Sequence, residues 1–417
     1  MLQLPEFQAL ATLSPDGRLL FVTRMTRLFA YGFLAVVLGL YLATVGLSDP
    51  QIGLVLSLTL LGDAMISLPI TIIADRIGRK RMLIAGAGLM IFAGVVFALT
   101  SDITLLTIAA IIGTISPSGN EVGPFLAIEQ AALPQTTTDA QRTQVFAWYS
   151  LLGSVMTGLG SLVGGLLAQG LQQAGQTPLN SYRVVIIGYA LLGGVLGVMF
   201  TRLSPAIEAP LNETPATLNR LFGLGKSRPV VFRLSLLFML DAFAGGLIVQ
   251  SLVAVWFTRR FGVEPGVIGA IYLGANLFAG LSALAAARIA KRVGLLNTMI
   301  YTHVPSNIFL LLVPLMPTLP LAIIVLLARF SISQMDVPTR QSYTVSVVEP
   351  AERSAANGVT NIARTGASAV SPLVTGALFN AGGAWISVPF FLAGGLKLVY
   401  DFLLYRSFQA VKPPEER

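Results

Sequence analysis

Long apolar runs separated by short polar connections, many carrying Gly or Pro, dominate the chain. A hydrocarbon core about 30 Å thick needs roughly 20 apolar residues in helix. Twelve runs reach that length, within a few residues: 28–48, 50–74, 82–101, 103–132, 143–171, 184–201, 234–258, 265–287, 293–316, 318–348, 354–380 and 384–405. The first, third, fifth, sixth and eighth contain no Asp, Glu, Lys, Arg or His, and the ninth contains only His303. The pattern predicts an all-α integral membrane protein with twelve transmembrane helices. The first run begins some 27 residues in, without a small-residue cleavage site behind it, and reads as a retained helix and not as a signal peptide.

Composition agrees with the bilayer as solvent. Of 417 residues, 54% are hydrophobic and 11% charged, against about 25% charged in soluble domains. There is no Cys and one His, so disulfides, thiol chemistry and Cys- or His-built metal sites are excluded, and neither a metal nor a cofactor is expected. The net charge of +8 does not form a continuous patch. It flanks the runs, which argues against nucleic acid and for membrane topology. With the N-terminus in the cytoplasm, internal segments hold twenty Lys and Arg, among them Arg76, Arg79, Lys80, Arg81, Arg288, Lys291 and Arg292, whereas external ones hold Arg183, Arg259 and Arg260. Both termini are therefore expected in the cytoplasm of a multi-pass protein of the cell membrane.

The second half reads as a diverged copy of the first. A shift of 216 residues aligns Gly46 with Gly262, Gly53 with Gly269, and Ile73–Gly78 with Ile289–Gly294. Segments 116–124 and 331–339, and 160–165 and 371–376, correspond loosely. The expected organisation is an N-terminal segment (1–27), two pseudo-symmetric six-helix bundles (28–202 and 229–405), a cytoplasmic linker (203–228) and a tail (406–417).

Ionisable groups inside membrane runs are costly and mark pathways. The fourth run is broken by Pro117, Gly119, Gly123 and Pro124 around Asn120 and Glu121, and the tenth has Asp336 and Pro338 at the matching place, followed by Arg340. Interrupted segments at corresponding positions of two halves point to a transporter's central site. Steps of four, three and four put Arg329, Ser333, Asp336 and Arg340 on one helix face, so that Asp336 can pair with Arg340. Glu121 has no local basic neighbour and is the expected proton carrier, with Asp63 in the second run as another candidate. Lys397 and Asp401 are read as an i, i+4 structural pair, and His303 as a hydrogen-bonded group in a peripheral span.

The loop Ala74-Asp75-Arg76-Ile77-Gly78-Arg79-Lys80-Arg81, together with the repeat, resembles the signature cytoplasmic loop of the major facilitator superfamily of secondary transporters. The likeness covers nearly the whole chain. It implies a cytoplasmic gate at Asp75, Arg76, Gly78, Arg79 and Lys80, with Asp75 near the positive end of a neighbouring helix and Glu129 as a partner for Arg76 or Arg79. It also implies that spans one, four, seven and ten surround the cavity, which adds Asp241. Arg364 in span eleven is a cation for an anionic substrate, and Phe33 and Tyr41 in span one are aromatic surfaces for an organic one. Gly160-Ser161-Leu162-Val163-Gly164-Gly165 is similar to the family's antiporter pattern, with Ser161 in place of Pro.

The expected function is proton-coupled movement of a small organic solute by alternating access, with two bundles rocking about a midplane site and export preferred to uptake. The partners are then substrate, protons and membrane lipid, and the protein acts as a monomer. An uptake permease for an organic anion or cation is the alternative reading, followed by a non-transporting membrane sensor. No phosphate-cradling Gly-Lys motif or catalytic constellation points to an ATPase or another enzyme.

Overall fold

The computed structural model describes residues 13–136, 142–208, 224–349 and 352–409. Most of the expected linker and tail lie outside them. Among the described residues the chain is helical, with short 3₁₀ turns and no strand. The helices are α1 (Pro15–Thr44), α2 (Asp49–Ile77), α3 (Arg79–Leu99), α4 (Ile103–Ile112), α5 (Phe125–Ala132), α6 (Arg142–Gln173), α7 (Pro178–Thr201), α8 (Arg228–Gly246), α9 (Gln250–Phe261), α10 (Pro265–Val293), α11 (Leu295–Leu312), α12 (Leu319–Ser333), α13 (Asp336–Ser346), α14 (Arg353–Asn380) and α15 (Val388–Phe408).

These make twelve membrane crossings. Ten are single helices or helix pairs long and apolar enough to span. The fourth crossing is divided between α4 and α5, and the eleventh, α14, is 28 residues long but carries Arg353, Asn357, Asn361 and Arg364.

Start signals explain where the helices begin. The Ser14 side chain accepts a hydrogen bond from the Gly17 N–H (3.1 Å), with Pro15 and Asp16 opening α1. The helix thus starts 13 residues before the apolar run at Leu28, and Arg24 and Arg27 become helical and buried. Asp102 caps α4 by accepting from the Thr104 and Leu105 N–H groups, and Thr177 caps α7 by accepting from that of Asn180.

The chain packs into two compact units. Of the described residues, unit 1 comprises those within 1–46, 62–215 and 264–273, and unit 2 those within 47–61, 216–263 and 274–417. In unit 1, α1 lies against α6 at glycines. A Cβ at Gly160 would collide with the Phe29 carbonyl, and one at Gly32 with that of Thr157. Small residues permit this backbone approach, the usual basis of helix association in lipid. In unit 2, Leu234, Leu237, Phe238, Met299, Tyr343, Tyr400 and Leu404 form a buried core shared by α8, α11, α13 and α15.

Three crossings are interrupted. Between α4 and α5, residues 113–124 are unwound, with Gly119 and Gly123 at φ +70° and +81°, a region glycine enters without steric cost. Backbone groups freed at this depth need partners. Tyr31 Oη donates to the Val122 carbonyl (3.0 Å), Tyr189 Oη to that of Thr114, and Ser116 Oγ to that of Asn120 (2.7 Å). The tenth crossing breaks at Gln334–Met335, just ahead of Asp336. A third break, between Gly246 and Gln250, divides the seventh crossing, which the apolar pattern presents as continuous. There Ser371 and Thr375 of α14 donate to the carbonyls of Phe243 and Leu247, both at 2.7 Å.

Candidate functional site

Each unit buries an ionic cluster on its interrupted crossings. In unit 1, Arg27 of α1 joins two carboxylates. Its Nη1 and Nη2 meet Glu129 at 2.6 and 2.7 Å, and its Nε and Nη2 reach Glu121 at 3.3 and 3.1 Å. Arg24, one helical turn earlier, contacts Glu121 at 2.8 Å. Tyr149 of α6 donates to Glu129, and its ring lies under the Arg24 guanidinium (4.2 Å). Arg27 and Glu129 are wholly buried. Such a pair is sustained only when geometry and further hydrogen bonds satisfy both charges, which the bidentate contact and Tyr149 do here.

Two expectations are corrected by this geometry. Glu121 is not an unpartnered carboxyl, because the early start of α1 brings Arg24 and Arg27 onto it. Glu129 does not serve Arg76 or Arg79, because its helix face turns inward to Arg27. Asp63 of α2 enters no ion pair among the described residues. Its Oδ1 accepts from the Gly123 N–H (2.5 Å) and from Ser67 Oγ (3.0 Å), both neutral donors. Asn120 is exposed, and the contacts found for it in the unwound segment are through its backbone.

The loop between α2 and α3 is a compact knot. Gly78 has φ +117° and opens α3 without a cap of its own. Glu208 supplies one from outside the helix, accepting from the Arg79 and Lys80 N–H groups at 2.5 and 3.3 Å. Asp75 pairs with Arg79 (2.8 Å) and not with a neighbouring helix end. Arg79 also donates to the carbonyls of Ala131 and Ile207, Lys80 Nζ donates to that of Leu203 (2.7 Å), and Arg76 is exposed.

In unit 2, Asp241 of α8 is the hub. It receives Lys397 Nζ of α15 at 2.5 Å and Arg340 Nη1 of α13 at 3.0 Å, and the latter also contacts Asp336 (3.1 Å) as the spacing predicts. His303 Nδ1 meets Asp401 Oδ1 at 2.7 Å, its Nε2 lies 3.7 Å from Asp241, and Asn307 donates to the other Asp401 oxygen (2.9 Å). The expected Lys397–Asp401 pair is thus replaced. Each residue finds a closer partner on another helix, and His303 sits within the ionic cluster instead of standing apart.

Arg329 of α12 and Arg364 of α14 enter no ion pair among the described residues, and the Nε of each is buried without a hydrogen-bond partner. Both are near enough to feel the charges of Asp241 and Asp336. With His303 neutral, four cations (Arg329, Arg340, Arg364, Lys397) face three carboxylates (Asp241, Asp336, Asp401).

Phe33 stacks on Phe29 (5.9 Å) and meets α7 at Gly188, while Tyr41 donates to the Phe97 and Thr100 carbonyls at the end of α3. Both rings are buried within unit 1. Sequence reasoning missed Arg24, Arg27, Tyr149 and Glu208, and it gave His303 a hydrogen bond but not a place among these charges. A signal existed for the arginines: the Ser-Pro-Asp helix start at 14–16 places both inside a helix, three residues apart on one face.

The sequence pattern of the Major Facilitator Superfamily matches residues 20–257 and again 234–417. Over an alignment of 427 residues the chain is 30% identical to "Uncharacterized membrane protein YJR124C" of Saccharomyces cerevisiae, which covers 95% of both chains. Its fold is similar to that of the nucleoside transporter NupG (TM-score 0.73, 16% identity, 95% of this chain and 100% of that one). It is likewise similar to a bacterial homologue of the human lysosomal transporter Spinster in an inward-facing, unoccupied conformation (TM-score 0.74, 16% identity, 95% and 97%). A D-xylose–proton symporter also shares the fold (TM-score 0.70, 14% identity, 94% and 97%).

Proposed function

Because the chain belongs to the major facilitator superfamily, whose members carry small molecules across membranes, we propose that it is a secondary active transporter coupling proton movement to the movement of a small organic anion. The observation that carries the substrate class is the excess of cations in unit 2. Arg329 and Arg364 are half-buried, each with its Nε shut off from solvent and unpaired, and have no carboxylate of their own, and a charge so desolvated is costly until a counter-ion arrives. A planar guanidinium matches a carboxylate or phosphate in two-point contact.

A second reading, export by exchange, rests on the glycine stripe Gly160–Gly165, where α6 meets α1, which is similar to the antiporter pattern with Ser161 in place of its Pro; it requires proton and anion to exclude one another. On either reading the protein acts as a monomer in the cell membrane with both termini cytoplasmic, as the segregation of basic residues supports.

The test is flux in proteoliposomes under an imposed pH gradient, with labelled lactate, succinate and citrate beside the neutral solutes glucose and uridine. At least one acid is expected to accumulate with the gradient while the neutral solutes do not. Arg364→Gln should slow that acid at least tenfold. Movement confined to the neutral solutes, or indifference to the gradient, overturns the proposal, and reversing the gradient tells exchange from co-movement.

A further inference from the structure

His303 is the chain's only histidine, and it is buried on α11 between two carboxylates on different helices. Asp401 of α15 lies 2.7 Å from Nδ1, and Asn307 Nδ2, 3.2 Å from the same nitrogen, donates to the other Asp401 oxygen. A carboxylate can only accept, so the closer contact favours the neutral tautomer with its proton on Nδ1, the Asn307 amide being engaged by Asp401. The opposite nitrogen then presents a lone pair toward Asp241 of α8, across a gap of 3.7 Å. That distance is too long for a hydrogen bond, and two lone pairs face one another.

Protonation of Nε2 reverses the interaction. The new N–H points at a carboxylate within one small displacement of bonding distance, and the imidazolium gains charge-assisted contacts on both sides. Asp241 already holds Lys397 and Arg340. Drawing it toward His303 loosens its grip on Arg340, whose other partner is Asp336. The charged and titratable groups in contact with His303 are Asp241 of α8 and Asp401 and Tyr400 of α15. Behind Asp241 stand Lys397 of α15 and Arg340 of α13, which also holds Asp336, and Arg329 of α12 and Arg364 of α14 feel the charges of Asp241 and Asp336.

We propose that His303 is the residue at which the driving proton is taken up and released, with Asp401 orienting the imidazole and Asp241 receiving it once charged. The proposal rests on the reading of the chain as a proton-coupled transporter and adds its coupling site. A proton on His303 raises the cations in unit 2 from four to five while Arg340 is partly released, so proton and anion favour each other's binding. This sign puts both on the same leg of the cycle. Histidine suits the task because small changes of environment move its titration across the physiological range.

A single histidine gives a direct readout. In tag-free protein labelled at histidine Cε1 and held in lipid nanodiscs, one resonance is followed from pH 5 to 9. Its chemical shift should respond to pH, and that response should differ in Asp401→Asn, which removes the carboxylate that favours the charged ring. Protection of α8 and α11 from hydrogen exchange, each rate corrected for its intrinsic pH dependence, should be greater at pH 5.5 than at 8.5, and His303→Gln should abolish that difference. In proteoliposomes His303→Gln should lose at least tenfold in gradient-driven accumulation of the acid the wild type moves, yet retain its exchange under equal pH.

A resonance indifferent to pH, a response unchanged by Asp401→Asn, or full gradient-driven accumulation by His303→Gln overturns the proposal. If the wild type moves no acid, the transport reading falls and the coupling role with it. The titration then still reports whether His303 exchanges a proton against Asp401.

Discussion

Arg27 places four hydrogen bonds on Glu121 and Glu129 and is itself, like Glu129, sealed from water, so the cost of removing one partner is the cost of the charge left behind. Glu129→Leu strands the guanidinium and should destabilise the folded protein by about 3–5 kcal/mol. The double change Arg27→Met with Glu129→Leu removes both charges and should recover most of that loss. Thermal unfolding in detergent of the two variants beside wild type checks this, and equal damage in single and double variants would show that packing and not charge governs the site. At this scale the sequence reveals which residues are ionisable but not whom they meet. The Asp336–Arg340 contact is legible because helical spacing alone brings it within reach. The same spacing misleads for Lys397 and Asp401, since Asp241 and His303 arrive from other helices and lie closer. Glu121 reads as lone for a related reason: its partners are nearly a hundred residues away along the chain.

Helix ends are fixed by contacts from distant segments. The carboxylate of Glu352, at the head of α14, accepts from the Ser227 and Lys226 N–H groups that open α8, and Ser227 Oγ in turn accepts from the Glu349 N–H. These backbone donors, that of Ser227 foremost, hold the Glu352 carboxyl below the ordinary glutamate range. A carboxyl lowered in the folded state stabilises it above the unfolded value of about 4.3 and loses that contribution as pH falls through the lowered value. The tie between α8 and α14 should therefore hold at neutral pH and open in acid. Glu352→Gln should lower protection from hydrogen exchange at residues 226–231 at pH 7, each rate corrected for its intrinsic pH dependence, to the level the wild type reaches only in acid. Identical exchange in variant and wild type at both pH values would remove Glu352 from the cap. The elements themselves were largely legible, because length and apolarity demand membrane helices and Gly/Pro clusters mark the fourth and tenth breaks. The seventh break was not, since residues 246–250 read Gly-Leu-Ile-Val-Gln and the unwinding is supported by Ser371 and Thr375 on α14.

Across the whole molecule the repeat conserves placement, keeps an acid (Asp336) opposite Asn120–Glu121, and reverses charge between the first and seventh crossings. Asp241 minus 216 is position 25, between Arg24 and Arg27, and Arg340 minus 216 is position 124, three residues past Glu121. In unit 1 the cations sit on the first crossing and the acids on the fourth, whereas in unit 2 the acid Asp241 sits on the seventh and Arg340 on the tenth. Burying Arg24 and Arg27 also removes them from the count of positives that sets orientation. The remaining internal positives, eighteen of the original twenty, still outnumber the three external ones, so the orientation expected from the loops is unchanged. The chain contains no cysteine, which makes every introduced one a unique reporter. Ser101→Cys and Gln176→Cys, at exposed ends of α3 and α6, should react with a membrane-impermeant maleimide added to intact cells. Lys226→Cys and Gln409→Cys, exposed at the basic ends of α8 and α15, should react only after the membrane is opened. Labelling of the second pair in intact cells, with the first pair protected, would invert the topology and place the Asp75–Lys80 loop on the outer side.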